Sequence, residues 1–332
     1  MKKLLLTSLT LGLLFLTSCN STSDALTEWK EQSDFAIKDT ASIDKFSISD
    51  TENNSITISR KEDGETWKIE GTKYDAQTNN VKLILETFYR IKVKRDVPTR
   101  NVGQVITSLS SRSKKVEIFK NNESKPFKTW FVGGATMDHE GTFMLLQSGE
   151  DKSAVPFVMY KPGIHASMDV RFFTSWIDWR ASYVFRYPDT RDIEYISLDF
   201  IQDSINSYKA IRGDGNKVAL FDGSNNSISK FDSSQVKHYF THFKKIHFNK
   251  KVIESQQYID SVFKSKPFYK ITLKDKAGIF TYVDVWKIKK PNSDNWDAEY
   301  GYIRVDNENE LFRIQYFSWD ILFKPLSYFT TN

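Results

Sequence analysis

Residues 76–97 read AQTNNVKLILETFYRIKVKRDV, and residues 231–252 read FDSSQVKHYFTHFKKIHFNKKV. Phe231 lies 155 positions after Ala76. At that offset Val81, Lys82, Leu85, Phe88, Ile91 and Val97 fall on Val236, Lys237, Phe240, Phe243, Ile246 and Val252. Val116 and Ile118 then fall on Ile271 and Leu273 without a gap. Upstream, Asp39-Thr40-Ala41-Ser42-Ile43 parallels Asp189-Thr190-Arg191-Asp192-Ile193, and Gly64 to Ile69 parallels Gly215 to Leu220. A register held across a helix and into the following strand predicts a diverged internal repeat.

Each copy follows one grammar. Val81, Ile84, Leu85, Phe88 and Ile91 recur at helical spacing and form one apolar face. Val236, Tyr239, Phe240, Phe243 and Ile246 do the same, with Asp232 or Ser233 placed to cap the start. Before the first helix, Phe46/Ile48, Ile56/Ile58 and Trp67/Ile69 alternate with polar residues, the period of half-buried strands. Asn53-Asn54 and Gly64 supply turn chemistry between them. After each helix comes a connector with a short helix, within Val102 to Leu109 and Glu254 to Phe263. Strands resume at Val116 to Phe119, Thr129 to Val132, Thr142 to Leu146 and Pro156 to Tyr160. The second copy places them at Tyr269 to Leu273, Phe280 to Ile288, Tyr300 to Val305 and Leu311 to Gln315.

Strands in blocks with helices inserted singly predict the α+β class: two diverged copies of a unit made of antiparallel strand meanders with an inserted amphipathic helix. The missing β-α-β alternation argues against a doubly wound dinucleotide fold. The expected organisation is a leader over 1–18, a tether over 19–34, a first lobe over 35–160, an aromatic junction over 161–188 and a second lobe over 189–332.

The chain has 332 residues, 39% hydrophobic and 27% charged, which fits a globular protein and excludes a multi-span membrane protein or a disordered chain. Its one cysteine, Cys19, excludes an internal disulfide, a cysteine zinc site and an iron–sulfur cluster. Lys2 and Lys3 form a positive start, and Leu4 to Leu16 an apolar run too short to span a bilayer. Leu16-Thr17-Ser18-Cys19 then resembles the bacterial lipobox, in which small residues admit a peptidase and the thiol accepts diacylglycerol. The expectation is a mature protein that begins at Cys19 and is held to the membrane by lipid, on the periplasmic side and in the outer membrane. Without Lys2 and Lys3 the balance is 45 basic against 42 acidic residues, +3, too mild for a nucleic-acid partner.

The first copy resembles a bacterial family known as domain of unknown function 4340. The likeness is carried by Phe35-Ala36-Ile37-Lys38-Asp39-Thr40, Trp67-Lys68-Ile69, Lys82 to Lys94, Phe131-Val132-Gly133-Gly134-Ala135-Thr136, Gly141-Thr142-Phe143-Met144 and Trp179-Arg180. It covers roughly residues 35–180. The resemblance implies an envelope protein associated with ABC-type transport or gliding-type accessory systems, and it carries over no catalytic residue. Many members are held by a transmembrane helix, where this chain has a lipobox.

Three constellations are candidates for chemistry. Gly133, Gly134, Thr136, Asp138, His139, Glu140, Gly141 and Thr142 form a glycine-rich loop in which backbone amides approach a ligand or the acids and His139 exchange protons. The bland reading of this loop is a long hairpin turn. Trp176, Asp178, Trp179 and Arg180 suit sugar stacking or a cation–π contact, and more simply an interlobe wedge. His238 and His242 are spaced i, i+4 but lack the glutamate of H-E-x-x-H, so no metal and no cofactor is expected. The resulting expectation is a non-enzymatic envelope module for binding or assembly, with an envelope protein partner. The alternatives are a glycan hydrolase or transferase at the Gly133–Thr142 loop, and a structural spacer.

Overall fold

A computed structural model describes residues 29–148, 151–152, 155–164 and 166–330, so the expected leader and Cys19 lie outside the described residues. The chain divides into two compact units with the boundary between Ala181 and Ser182. The expected junction is therefore split: 161–181 belong to unit 1 and 182–188 to unit 2.

In unit 1 the order is β1 (Ile43–Ser49), β2 (Ser55–Arg60), β3 (Trp67–Ile69), α1 (Thr78–Arg90), β4 (Lys92–Asp96), α2 (Thr99–Arg112), β5 (Lys114–Lys120), β6 (Lys128–Ala135), β7 (Thr142–Ser148), β8 (Asp151–Lys152) and β9 (Phe157–Tyr160). One antiparallel sheet runs β3-β2-β1-β5-β6-β7-β9-β4, with β8 pairing β7. Helix α1 covers one face. Its Val81, Ile84 and Phe88 meet Phe46, Ile58, Trp130, Met144 and Phe157 in a single apolar cluster. Each such side chain, fully buried, contributes about 1.5–3 kcal/mol relative to exposure. Helix α2 covers the other face, with Val105 and Leu109 against Leu145 and Val158.

This double cover explains a change of pattern along the sheet. β1 alternates, because only one face is dry there. In β6, β7 and β9 the runs Trp130-Phe131-Val132, Phe143-Met144-Leu145-Leu146 and Phe157-Val158-Met159 are apolar throughout, since successive residues enter the two clusters in turn. The edge strand β4, Lys-Val-Lys-Arg-Asp, has no apolar alternation and went unforeseen. Its charges guard an exposed sheet edge.

Unit 2 starts with β10 (Tyr183–Arg186) and continues β11 (Ile193–Phe200), β12 (Tyr208–Arg212), β13 (Val218–Asp222), β14 (Ser227–Ile228), α3 (Ser233–Thr241), β15 (Lys245–His247), β16 (Lys250–Lys251), α4 (Gln256–Lys264), β17 (Tyr269–Asp275), β18 (Phe280–Lys289), β19 (Trp296–Val305) and β20 (Phe312–Gln315). Its antiparallel sheet runs β14-β13-β12-β11-β17-β18-β19-β20-β16, and β10 pairs β15 separately. Tyr239 of α3 packs edge-on to Tyr208 and Phe329, with centroids 5.9 and 5.3 Å away. On the opposite face Ile259 of α4 joins Val252, Trp286 and Leu311. The α+β class and the antiparallel sheets agree with the sequence reading.

Candidate functional site

The Gly133–Thr142 segment is shorter as a loop than the sequence suggests. β6 continues through Gly133 and Gly134 to Ala135, with a register shift between Val132 and Ala135, and β7 starts at Thr142. The turn proper is 136–141. The Thr136 amide donates to the Gly141 carbonyl at 2.9 Å, and the Gly141 amide donates to Thr136 Oγ1 at 3.1 Å. The His139 amide donates to the Thr136 carbonyl at 2.9 Å, which sets His139 in the left-handed region at φ 55°. The Thr136 hydroxyl donates to Asp138, which also accepts from the Glu140 amide at 3.1 Å.

The acids of the turn face cations. Glu140 pairs with Lys94, and Asp138 lies 3.7 Å from Arg95. The Thr136 hydroxyl first, then the Glu140 amide, then the charges of Arg95 and Lys94 hold the Asp138 carboxyl below its ordinary range. The sequence reading missed Lys94 and Arg95, because β4 carries no strand pattern. Thr142 is wholly buried and its Oγ1 accepts the Met168 amide at 2.8 Å.

Two of the glycines answer to packing. A Cβ on Gly133 would lie 2.6 Å from Leu109 Cδ2 and 3.0 Å from the Phe143 carbonyl oxygen, so Gly133 is what lets α2 approach the sheet. A Cβ on Gly141 would lie 2.5 Å from Val158 Cγ1. Gly134 has nothing within 4 Å of a Cβ.

The tryptophan cluster closes unit 1. Trp176 to Trp179 form one helical turn. Trp176 stacks on Tyr74 at 5.8 Å and 10°, and the Arg180 guanidinium lies 3.8 Å from the centre of the same Tyr74 ring. Trp179 is 0% exposed, its indole N–H donates to the Phe173 carbonyl at 2.9 Å, and its ring meets Phe46 at 5.5 Å. The Gln77 amide donates to the Trp179 carbonyl at 2.6 Å, and Asn80 Nδ2 donates to the Asp178 carbonyl at 2.8 Å. The segment is sewn to residues 74–80 of its own unit, and a ring as buried as Trp179 offers no face to a sugar.

His238 and His242 sit one turn apart at the end of α3, ring centroids 4.9 Å apart. The α-helix ends at Thr241 and tightens into a 3₁₀ turn, His242–Lys244. His247 is therefore on β15 rather than on the helix, and its Nδ1 lies 2.9 Å from Ser182 Oγ. Among the described residues no group of three His, Cys, Asp or Glu converges as a metal site.

Unit 1 has a cleft of about 260 Å³ beside α2, lined by Asp50, Ser110, Ser113, Lys115 and Phe131 among others. Its charges are engaged. Asp50 accepts the Glu52 and Asn54 amides at 2.9 and 3.0 Å and the Thr174 hydroxyl at 3.0 Å, and Lys115 pairs with Glu117 at 2.6 Å. Comparison of the chain with family models, with curated proteins and with solved structures finds no match.

Proposed function

We propose that the protein is a lipid-anchored envelope protein, facing the periplasm from the outer membrane, that works by binding or assembly rather than by catalysis. One observation carries the choice of binding over catalysis. The acids of the Gly133–Thr142 loop are spent on their own turn and on Lys94 and Arg95. A general acid or base needs a carboxyl poised near the working pH, and Asp138 is driven the other way. A glycan hydrolase needs two carboxyls opposed across a cleft. Asp138 and Glu140 are opposed by cations instead.

The two units are, in this proposal, diverged copies of one ancestral unit. Taking β1, β2, β3, β4, β5, β6, β7 and β9 with β11, β12, β13, β16, β17, β18, β19 and β20, the strand orders of the two sheets coincide. The 155-residue register between α1 and α3 supports the same pairing. With the resemblance to the family of domain of unknown function 4340, the partner class is a protein of an ABC-type transport or gliding-type apparatus.

Crosslinking in cells, followed by purification of the full-length protein from detergent-solubilised envelopes, tests the partner. Recovery of a transport or motility subunit is expected, and its absence counts against the assignment. Cys19→Ala is expected to move the protein out of the salt-washed membrane fraction, and retention there refutes the lipid anchor.

A further inference from the structure

Unit 2 carries a cleft unlike that of unit 1. Arg186 on β10 pairs with Lys245 on β15, and the Tyr187 amide donates to the Lys244 carbonyl at 3.0 Å. This ribbon, the end of α3 and the one-turn helix Tyr316–Trp319 border an open cleft of about 640 Å³. Lys244, Lys245 and Arg186 give it permanent positive charge, Thr241 and Ser318 give it hydroxyls, and Ile246 and Ile321 give it apolar surface. None of the described residues that line it is acidic.

A cation in the last turn of a helix complements the helix dipole, which amounts to about half an elementary charge. Lys244 and Lys245 exceed that, so the dipole leaves positive charge over. Burial, then the neighbouring charges of His238 and Lys324, hold the His242 imidazole below its usual range. Beside the cleft, Phe317 is 96% exposed and Ile321 36%. Apolar side chains next to lysines suit a membrane surface, where rings enter the headgroup layer and lysines meet lipid phosphate.

We propose that this cleft binds the phosphate of an anionic phospholipid headgroup. Lys244 and Lys245 neutralise it, Thr241 and Ser318 donate hydrogen bonds, and Phe317 enters the interface. The site rests on the proposed membrane location and deepens it, since a basic patch added to a lipid anchor is a second attachment that selects the face presented to the bilayer.

Vesicle binding by full-length Cys19→Ala protein separates the cleft from the anchor, because that protein carries no lipid. Sedimentation with phosphatidylcholine vesicles, with and without phosphatidylglycerol, is expected to show preference for the anionic ones. Each lysine near an anionic surface is worth roughly fivefold, so Lys244→Gln with Lys245→Gln should weaken binding to anionic vesicles by about twenty-five-fold. Charge reversal to Glu at both positions should weaken it further. Phe317→Ser should weaken it with charge unchanged, while circular dichroism stays that of the parent. An anionic preference untouched by both lysine pairs overturns the proposal. Displacement by soluble glycerol phosphate at the same phosphate concentration also overturns it, and assigns the cleft to a free phosphate. Failure of Cys19→Ala to leave the salt-washed membrane fraction bears on the anchor alone.

Discussion

Helix α1 follows β3 and helix α3 follows β14, each the first long helix of its unit, and they start differently. Gln77 precedes α1 and makes no side-chain cap. Asp232 precedes α3, and its carboxylate accepts the Ser234 and Gln235 amides at 2.8 and 3.1 Å. In both, the amide of that residue is tied to the segment that closes the unit: Gln77 to the Trp179 carbonyl at 2.6 Å, Asp232 to the Phe329 carbonyl at 2.9 Å. The tertiary tether is shared and the local cap is not. With 13 residues, α1 rests on its packed face; α3, with 9, adds a cap. Residues 176–181 and the C-terminal aromatic segment thus do one job, each inside its own unit.

The largest blow to this comparison comes from the core. Trp130, paired with Val116, touches Phe35, Phe88 and Phe172 in unit 1, while Val283, paired with Ile271, is buried at that place in unit 2. Trp130→Ala is expected to cost about 3–5 kcal/mol and Val283→Ala clearly less, since fewer atoms leave the core. Urea denaturation measures both, and equal losses would break the correspondence between the units.

Next in size is the approach of α2. Gly133→Ala is expected to destabilise by about 1–3 kcal/mol through overpacking against Leu109, and Gly134→Ala by no more than about 0.5 kcal/mol. A ligand cradle would reverse that order of importance in a binding assay, so thermal unfolding of the two variants sharpens the structural role of the turn.

The helix starts come third. Asp232→Ala should cost about 1 kcal/mol, and Gln77→Asp should gain up to about 1 kcal/mol by supplying the cap that α1 lacks. No gain in Tm from Gln77→Asp would mean that the Trp179 tether already does all that a cap can do.

The smallest effect lies at the start of each sheet. Asp39 accepts the Ser42 amide at 3.3 Å, while Asp189 accepts the Arg191 amide and guanidinium, the amide at 2.9 Å. The Arg191 side chain pulls the Asp189 carboxyl down to about 2. A folded-state value below the unfolded one gives a contribution that is present above the ordinary aspartate range and is lost as pH falls from there through about 2. Carboxyl titration by NMR should find Asp189 at about 2, and Arg191→Ala should return it towards the ordinary range.

The helix faces were legible because one helical period dominates them. Val81, Ile84 and Phe88 are buried as their spacing requires, and so are Val236, Tyr239 and Phe240. The first-block strands were legible for the same reason at period two. β4 and β16 were not, since each is an edge strand whose charged residues serve the edge and not a core. The candidate loop was legible in composition and misleading in meaning. Glycine near acids suits a ligand cradle and a crowded hairpin equally, and only the position of Leu109 against Gly133 separates them.

The sequence by itself determined the two amphipathic helix faces, the core strands and their antiparallel class, because apolar periodicity is local to each segment. Tertiary structure alone decided which charges are spent and which are left over. Lys94 and Arg95 on β4 reach the loop acids past β9, which lies between β4 and β7 in the sheet. Lys244 and Lys245 reach a cleft lined by no acid among the described residues. Charge balance depends on neighbours in space, and spacing along the chain carries no record of them.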